Sequence, residues 1–120
     1  MNLSQIIKTL VSEIKLTEIQ AKIFLHVVIN GKMNTSKISN DLKISIDDAT
    51  QNSKKLVELG GFIDMPNDEF EAMHPRFTAV NMYRKMCERE QKEFKKNLNV
   101  DNIGVALETS YDDARTKYNK

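Results

Sequence analysis

The sequence predicts a mainly α-helical domain that carries one small β-hairpin. Apolar residues recur at helical spacing along most of the chain, which is the primary signal of amphipathic helices. Four glycines and two prolines among 120 residues are too few for an all-β sandwich, which needs many tight turns. Two short β-prone runs flank a single Pro-Asn-Asp turn, so a hairpin is expected at that point.

Composition narrows the class of protein. Hydrophobic residues make up 40% and charged residues 29% of the chain, which supplies apolar surface for a core and differs from a disordered composition. The longest nearly apolar run, 23–29, is too short to cross a bilayer, and no secretory signal opens the chain. The single cysteine, Cys87, excludes an internal disulfide framework and fits a reducing compartment. We therefore expect a cytoplasmic protein without a membrane segment.

Two helices are predicted within the first 31 residues. Thr17 is suited to cap the second of them, whose first turn carries Glu18. Apolar residues leave only a narrow polar strip on this second helix, so it should be the central, covered one, and Asn30-Gly31 should end it. The first helix has a single apolar face, formed by Leu3, Ile6, Ile7, Leu10, Val11 and Ile14.

A brief helix should follow the central one. Thr35 or Ser36 can cap it, because short hydroxyl side chains accept hydrogen bonds from the first turn. Met33-Asn34, just before it, could form a stub of strand.

A longer helix is predicted over residues 46–59. Ser45, with Asp48 three residues later, resembles a capping box at its start, and Gly60-Gly61 ends it. The positions expected to face inward are Ile46, Ala49, Ser53, Leu56 and Val57.

The last part of the chain should form the hairpin and two more helices. The runs 62–65 and 69–73 are the expected strands. A long helix is predicted over residues 78–97, and a final one over 102–118, where Gly104 weakens the first turn. The apolar stripe of the 78–97 helix should pack against the first helix and the final segment, either within the chain or across a dimer.

This order of elements predicts a winged helix-turn-helix domain over residues 17–77, with an N-terminal helix at 1–16 and a long helical extension at 78–120. In that fold a brief helix braces the next helix, whose polar face can enter the DNA major groove, and the hairpin reaches the adjacent backbone. The expected protein is a non-catalytic DNA-binding regulator. We expect a homodimer that forms through the N-terminal and C-terminal helices.

Five segments carry a resemblance to a known family. They are Leu16-Thr17-Glu18, Ala21-Lys22-Ile23-Phe24-Leu25, Ser36-Lys37-Ile38-Ser39, Leu56-Val57-Glu58-Leu59-Gly60 and Phe70-Glu71-Ala72-Met73-His74-Pro75. Over roughly residues 14–98 the sequence thus resembles the N-terminal domain of the TrmB-like transcription regulators, which are common in archaea. The resemblance implies a transcription regulator that binds double-stranded DNA. Larger members carry a sugar-binding domain after the long helix, and sugar sensing is not expected of this chain.

The candidate DNA-contacting residues lie mainly on the two helices of the predicted helix-turn-helix. Asn and Gln can pair with adenine edges, and lysines suit phosphates. The start of the brief helix can hold a phosphate, and one arginine follows the wing. The candidate set is Ser36, Lys37, Ser45, Gln51, Asn52, Lys54, Lys55 and Arg76.

Acidic residues support a second hypothesis. Residues 1–77 contain nine basic and ten acidic side chains, and carboxylates next to phosphates weaken DNA binding. The alternative is a winged-helix adaptor that binds protein and not DNA. A continuous positive surface would favour DNA, whereas a patchwork would favour protein. The acids concerned are Asp47 and Asp48 in the 46–59 helix and Asp64, Asp68, Glu69 and Glu71 in the wing.

Catalytic or metal-binding residues are not expected. Neither His26 nor His74 has a cysteine or acidic partner at ligand spacing, so both should be structural. Cys87 lies on an apolar stripe and should pack in the core. No Ser-His-Asp order or phosphate-cradling glycine loop is present. The sequence predicts no enzyme activity, no metal and no cofactor.

Overall fold

The computed structural model describes residues 1–118, and the last two residues of the predicted 78–120 extension lie outside the described residues. This part of the chain is mainly α-helical with a small antiparallel sheet, as the sequence predicts. Within it, no helix combines the length and apolar character needed to cross a membrane. The elements are α1 (Leu3–Glu13), α2 (Glu18–Asn30), β1 (Met33–Asn34), α3 (Thr35–Leu42), α4 (Ile46–Leu59), β2 (Ile63–Met65), β3 (Glu69–Glu71), α5 (Pro75–Arg89) and α6 (Leu98–Tyr118).

The sheet has three strands in the order β1-β3-β2, and not the two strands of the predicted hairpin alone. Both pairings are antiparallel, and Phe70 of β3 lies opposite Met33 of β1 and Asp64 of β2. The strand stub that the sequence suggests before α3 is therefore confirmed. In the turn between β2 and β3, Asn67 and Asp68 have φ values of 65° and 58°, which Asn and Asp tolerate better than most residues. Because β1 lies between α2 and α3 and pairs with β3, it connects the hairpin to these helices.

α2 is the centre of the hydrophobic core. The Thr17 hydroxyl accepts from the Gln20 N–H at 3.2 Å, and the Gln20 side chain accepts from the Thr17 N–H at 3.0 Å. This reciprocal capping box confirms Thr17 as the start of the helix. α1, α4 and α6 all pack against α2. Its buried residues are Gln20, Ala21, Ile23, Phe24, Leu25, Val27 and Val28.

α3 is capped one residue earlier than the sequence suggests. Asn34 is the N-cap, and its side-chain oxygen accepts from the Lys37 N–H at 2.9 Å. Thr35 is buried and Ser36 is exposed in the first turn. Asparagine caps helices as well as serine does, and pairing in β1 holds Asn34 in the extended conformation that a cap requires.

α4 spans the predicted residues, 46–59. Ser45 caps it by accepting from the Asp48 N–H at 3.0 Å, and Gly60 ends it with a φ of 92°. The inward orientation predicted for Ile46 is wrong, because the first turn of α4 extends beyond the core and leaves this side chain 55% exposed. The other predicted inward positions are buried or, for Val57, half-buried: Ala49, Ser53, Leu56 and Val57.

The helix predicted over residues 78–97 is shorter than expected. α5 ends at Arg89, because Gln91 takes a left-handed φ of 55° and the Lys92 N–H bonds back to the Cys87 carbonyl at 2.9 Å. Such backward bonds satisfy the last carbonyls of a helix and end it.

α6 starts at Leu98, four positions before its predicted start, and packs against α1, α2 and α5. The Asn97 side-chain oxygen accepts from the N–H groups of Asn99 and Val100, at 3.0 and 3.3 Å. Leu98 and Val105 of α6 are exposed, whereas the predicted apolar face of this helix is buried within the chain. The buried residues of this face are Val100, Ile103, Leu107 and Tyr111.

Candidate nucleic-acid interface

α3, the turn after it and α4 hold most of the predicted residues in one unit. Lys43 follows α3 with a left-handed φ of 56°. The Ser39 hydroxyl donates to the Ile44 carbonyl at 2.6 Å, and the Ile44 N–H donates to the Ser39 carbonyl at 3.1 Å. The turn therefore closes without glycine, the residue that usually supplies a positive φ.

Acidic side chains occupy the start of the exposed α4 face. Asp47 and Asp48 lie in the first turn, where the helix dipole favours negative charge. The Gln51 amide nitrogen donates to both carboxylate oxygens of Asp47, at 3.2 Å each. Gln51, the side chain predicted to contact a base, is therefore hydrogen-bonded to a carboxylate of its own helix.

The two lysines of α4 have different surroundings. Both are exposed, and the Lys55 ammonium lies 3.1 Å from a carboxylate oxygen of Glu58. Lys54 forms no ion pair with any side chain of residues 1–116. Of this pair, Lys54 is the cation more readily available to a phosphate.

Asn52 points less toward solvent than the sequence predicts. It is half-buried. Its side-chain oxygen accepts from the Gln20 amide at 3.5 Å, and its nitrogen donates to the Asp48 carbonyl at 2.9 Å. Asn52 lies next to the buried Ser53, at the edge of the α4 face that packs on α2, so its amide is engaged inside the protein.

Lys37 and Ser36 are exposed in the first turn of α3, but Lys37 is paired. Its ammonium lies 3.2 Å from an Asp41 carboxylate oxygen, and the same oxygen lies 2.8 Å from His26 Nε2. The hydrogen bond from His26, and then that from Lys37, lowers the pKa of Asp41 below its ordinary value. The Lys37–Asp41 spacing of four residues was readable in the sequence, whereas the contact between His26 and Asp41, on different helices, was not.

Arg76 faces a different part of the molecule from the α4 residues. Its guanidinium pairs with the Glu108 carboxylate of α6. Its backbone also lies so close to Gly104 that a Cβ built on that glycine would be 2.6 Å from the Arg76 Cα. This contact between α5 and α6 explains a glycine that the sequence marks only as a weak point in a helix.

The hairpin adds no positive surface. Asp64 and Asp68 are exposed. Glu69 lies 4.0 Å from the Lys32 ammonium, and Glu71 lies 3.9 Å from the Arg115 guanidinium. Together with the paired lysines, these acids make the charge of the candidate interface a patchwork.

Ile46 is an exposed apolar residue of the candidate interface that sequence reasoning missed. It was expected to face the core, but it stands exposed beside Asp47 at the start of the α4 face. Its position in the first turn after the Ser45 cap is the signal that could have identified it, because a helix end often projects from the core.

The histidines and the cysteine have structural contacts. His74 caps α5, where its Nδ1 accepts from the Arg76 N–H at 3.2 Å, and its ring meets the Tyr111 ring edge-on. Cys87 is buried. In the part of the chain that the structure describes, no group of three or more His, Cys, Asp or Glu residues could hold a metal ion.

Searches of protein-family models, of curated protein sequences and of solved structures found nothing that matches this chain.

Proposed function

We propose that this chain is a non-catalytic, DNA-binding transcription regulator of the winged helix-turn-helix type. The element order α2, β1, α3, α4, β2, β3, with β1 paired to β3, carries the proposal. In that fold α3 braces the recognition helix α4, and the β2–β3 hairpin is the wing. The TrmB-like resemblance of the sequence supports a cytoplasmic regulator of archaeal type.

The exposed face of α4 would enter the major groove. Gln51 can pair with an adenine edge once it leaves Asp47, and the apolar Ile46 can contact a thymine methyl group. Lys54 and, after release from Glu58, Lys55 would neutralise phosphates. Asp47 would then contact a base as well, because a carboxylate can accept a hydrogen bond from cytosine N4.

We further propose that the regulator acts as a homodimer. α1 exposes Leu3 and Val11, two helical turns apart, with half-buried Ile7 between them. Leu3 and Val11 belong to the part of the predicted apolar face of α1 that does not pack inside the chain, whereas Ile6 and Leu10 are buried. A two-fold axis could place two α4 helices about 34 Å apart, one turn of DNA. Sedimentation that shows a monomer at micromolar concentration would contradict this geometry.

A second candidate function is a winged-helix adaptor that binds protein. The patchwork of charge favours it: Lys37, Lys55 and Arg76 are each paired with a carboxylate, and the α4 face begins with two acids. Paired lysines contribute less to counterion release unless DNA displaces the acids.

Fluorescence anisotropy with a labelled, mixed-sequence DNA duplex across a range of salt concentrations separates the two candidates. For a DNA-binding protein, log K should fall linearly with log salt, and Lys54→Ala should flatten that slope by about one unit. Lys8→Ala, which removes an exposed lysine from α1, is the matched control and should leave the slope unchanged.

Two results would contradict the DNA proposal. One is the absence of salt-dependent binding even at low salt. The other is an equal loss in Lys54→Ala and Lys8→Ala, which would indicate attraction to net charge and not to the α4 face. In either case, the adaptor hypothesis would take its place.

A further inference from the structure

A polar contact between His26 and Asp41 joins α2 to α3. His26 Nε2 lies 2.8 Å from an Asp41 carboxylate oxygen, and the two side chains are only 20% and 28% exposed. The Lys37 ammonium lies 3.2 Å from the same oxygen. Both contacts lower the pKa of Asp41, that with His26 first, so this carboxylate stays ionised near neutral pH. One carboxylate therefore serves two basic side chains, which form with it the α2–α3 charge cluster.

The hydrogen bonds around His26 identify the neutral form of its ring. The Asn30 side-chain nitrogen donates to the His26 carbonyl at 3.0 Å and lies 3.2 Å from His26 Nδ1. Nδ1 is then an acceptor, so the proton of the neutral ring is on Nε2 and is donated to Asp41. With a neutral histidine, the charges of Lys37 and Asp41 cancel. A second proton on the ring would displace the Asn30 contact from Nδ1 and give the cluster one positive charge.

Few other groups face His26. It lines a shallow surface cavity, and within the described part of the chain α1 contributes only Leu3 and Ile7 to that lining, while α4, α6 and the sheet contribute no residue. Lys22, one turn earlier on α2, also lines the cavity, and its ammonium lies 3.2 Å from a Glu18 carboxylate oxygen. Among these groups, the histidine is the one whose charge ordinarily changes between about pH 5 and 8.

We propose that protonation of His26 strengthens DNA binding at the start of α3. This inference rests on the proposed function, because it requires a phosphate near Lys37, which is exposed in the first turn of that helix. A protonated ring gives Asp41 a cationic partner on α2, and a hydrogen bond from an ionised donor is roughly twice as strong as a neutral one. Lys37 can then leave Asp41 and neutralise a phosphate. By linkage, the proton and DNA each favour binding of the other.

Anisotropy titrations with the labelled, mixed-sequence duplex at about pH 6 and about pH 8 test the proposal. One additional phosphate contact should make the unmodified chain bind about threefold or more tightly at the lower pH. His26→Gln keeps an amide that can donate to Asp41 but cannot gain a charge, so it should lose most of this increase. His74→Gln removes the other histidine of the chain, which lies near Glu108, and should keep the increase. Circular dichroism checks that each variant is folded.

A second variant tests whether the Asp41 carboxylate restrains Lys37. Asp41→Asn removes the acid that pairs with this lysine. Its affinity for DNA at the higher pH should therefore rise toward the value that the unmodified chain has at the lower pH. Asp113→Asn, on the exposed side of α6, makes the same change in net charge and should raise the affinity less.

Urea unfolding gives a measurement that does not involve DNA. His26→Gln, Asp41→Asn and the double variant form a cycle that reports the coupling between the two side chains. The coupling should be about twice as large at the lower pH, because the donor is then ionised.

Three results would overturn this inference and leave the DNA proposal standing. They are an equal pH dependence of DNA affinity in His26→Gln and the unmodified chain, an equal gain in Asp41→Asn and Asp113→Asn, and a coupling that is the same at both pH values. Absence of DNA binding at both pH values would instead overturn the proposed function, and this inference with it.

Discussion

On the exposed face of α4, the Gln51 side-chain amide lies 3.2 Å from both carboxylate oxygens of Asp47. A pair at this four-residue spacing stabilises a helix by a few tenths of a kcal/mol. It also occupies the amide that would read a base. Any DNA that approaches this face has to replace the contact and accept a carboxylate beside it.

Replacing that carboxylate should strengthen non-specific DNA binding. Asp47→Asn removes one negative charge near the phosphates, so we expect affinity for a mixed-sequence duplex to rise several-fold at low salt, with less gain at high salt. The weaker N-terminal charge should cost the helix about 0.3–1 kcal/mol. Anisotropy titrations measure the affinity, and Asp113→Asn on the exposed side of α6 is a control with the same change in net charge. An equal gain in both variants would mean that α4 is not the DNA-binding face.

The stability of the protein should depend on the ionised form of Glu13. Its two carboxylate oxygens accept from the side-chain amides of Asn99, at 2.9 Å, and Asn97, at 3.1 Å. These bonds, that from Asn99 first, lower the pKa of Glu13 below its ordinary value of 4.5. A carboxylate whose pKa is lower in the folded state adds stability above its unfolded pKa, and this stability is lost as the pH falls through the folded pKa.

Glu13→Gln should therefore be less stable than the unmodified chain at neutral pH, by about 1 kcal/mol or less because the site is partly exposed. Urea unfolding from neutral pH down to about pH 3 measures the difference between the two proteins. The difference should narrow below the ordinary pKa of glutamate. A difference that stays constant over this range would show that the ionised carboxylate is not the stabilising form.

Gly104→Ala should destabilise the contact between α5 and α6. The added Cβ would lie 2.6 Å from the Arg76 Cα and 3.0 Å from its backbone nitrogen, and neither backbone atom can move cheaply. Overpacking of this kind costs about 1–3 kcal/mol, against a gain of about 1 kcal/mol in helix propensity. We expect a net loss in thermal unfolding, whereas the exposed control Val105→Ala should change stability by about 0.5 kcal/mol or less. A more stable Gly104→Ala variant would mean that the two helices can separate at this point without penalty.

Ser53→Ala should stabilise the protein. Ser53 is fully buried in α4, and among the described side chains of residues 1–116 and the backbone its hydroxyl has no hydrogen-bond partner. Removing an unsatisfied buried hydroxyl from a helix should contribute about 1 kcal/mol. Ser12→Ala, at an exposed position in α1, should give only the smaller gain that comes from helix propensity. A loss of stability in Ser53→Ala, measured by urea unfolding, would show that the hydroxyl has a partner such as a bound water.

The bounds of a helix could be predicted to the residue where the sequence carries a capping residue before it and a glycine after it. α4 has Ser45 before it and Gly60 after it, and both act within one turn of the helix, so its bounds agree with the sequence pattern. α5 shows the opposite case. Charged pairs four residues apart continue past Arg89, so the sequence pattern predicts a longer helix. The backbone instead turns at Gln91. This turn places the Phe94 ring centre 6.0 Å from that of Tyr83.

The residues of the candidate interface also fall into two groups, those whose position follows from local sequence and those whose position depends on tertiary contacts. That Lys54 is exposed follows from the helical period of α4 alone, because every residue of a helix takes a defined position around its axis. That Arg76 pairs with Glu108, that Asp41 contacts His26, and that Asn52 is drawn toward Gln20 depend on groups from separate helices. Local capping and periodicity are encoded over a few neighbouring residues and can be read along the chain. Contacts between helices exist only once packing has brought distant residues together, and in this protein those contacts determine which of the predicted cations remain available to a ligand.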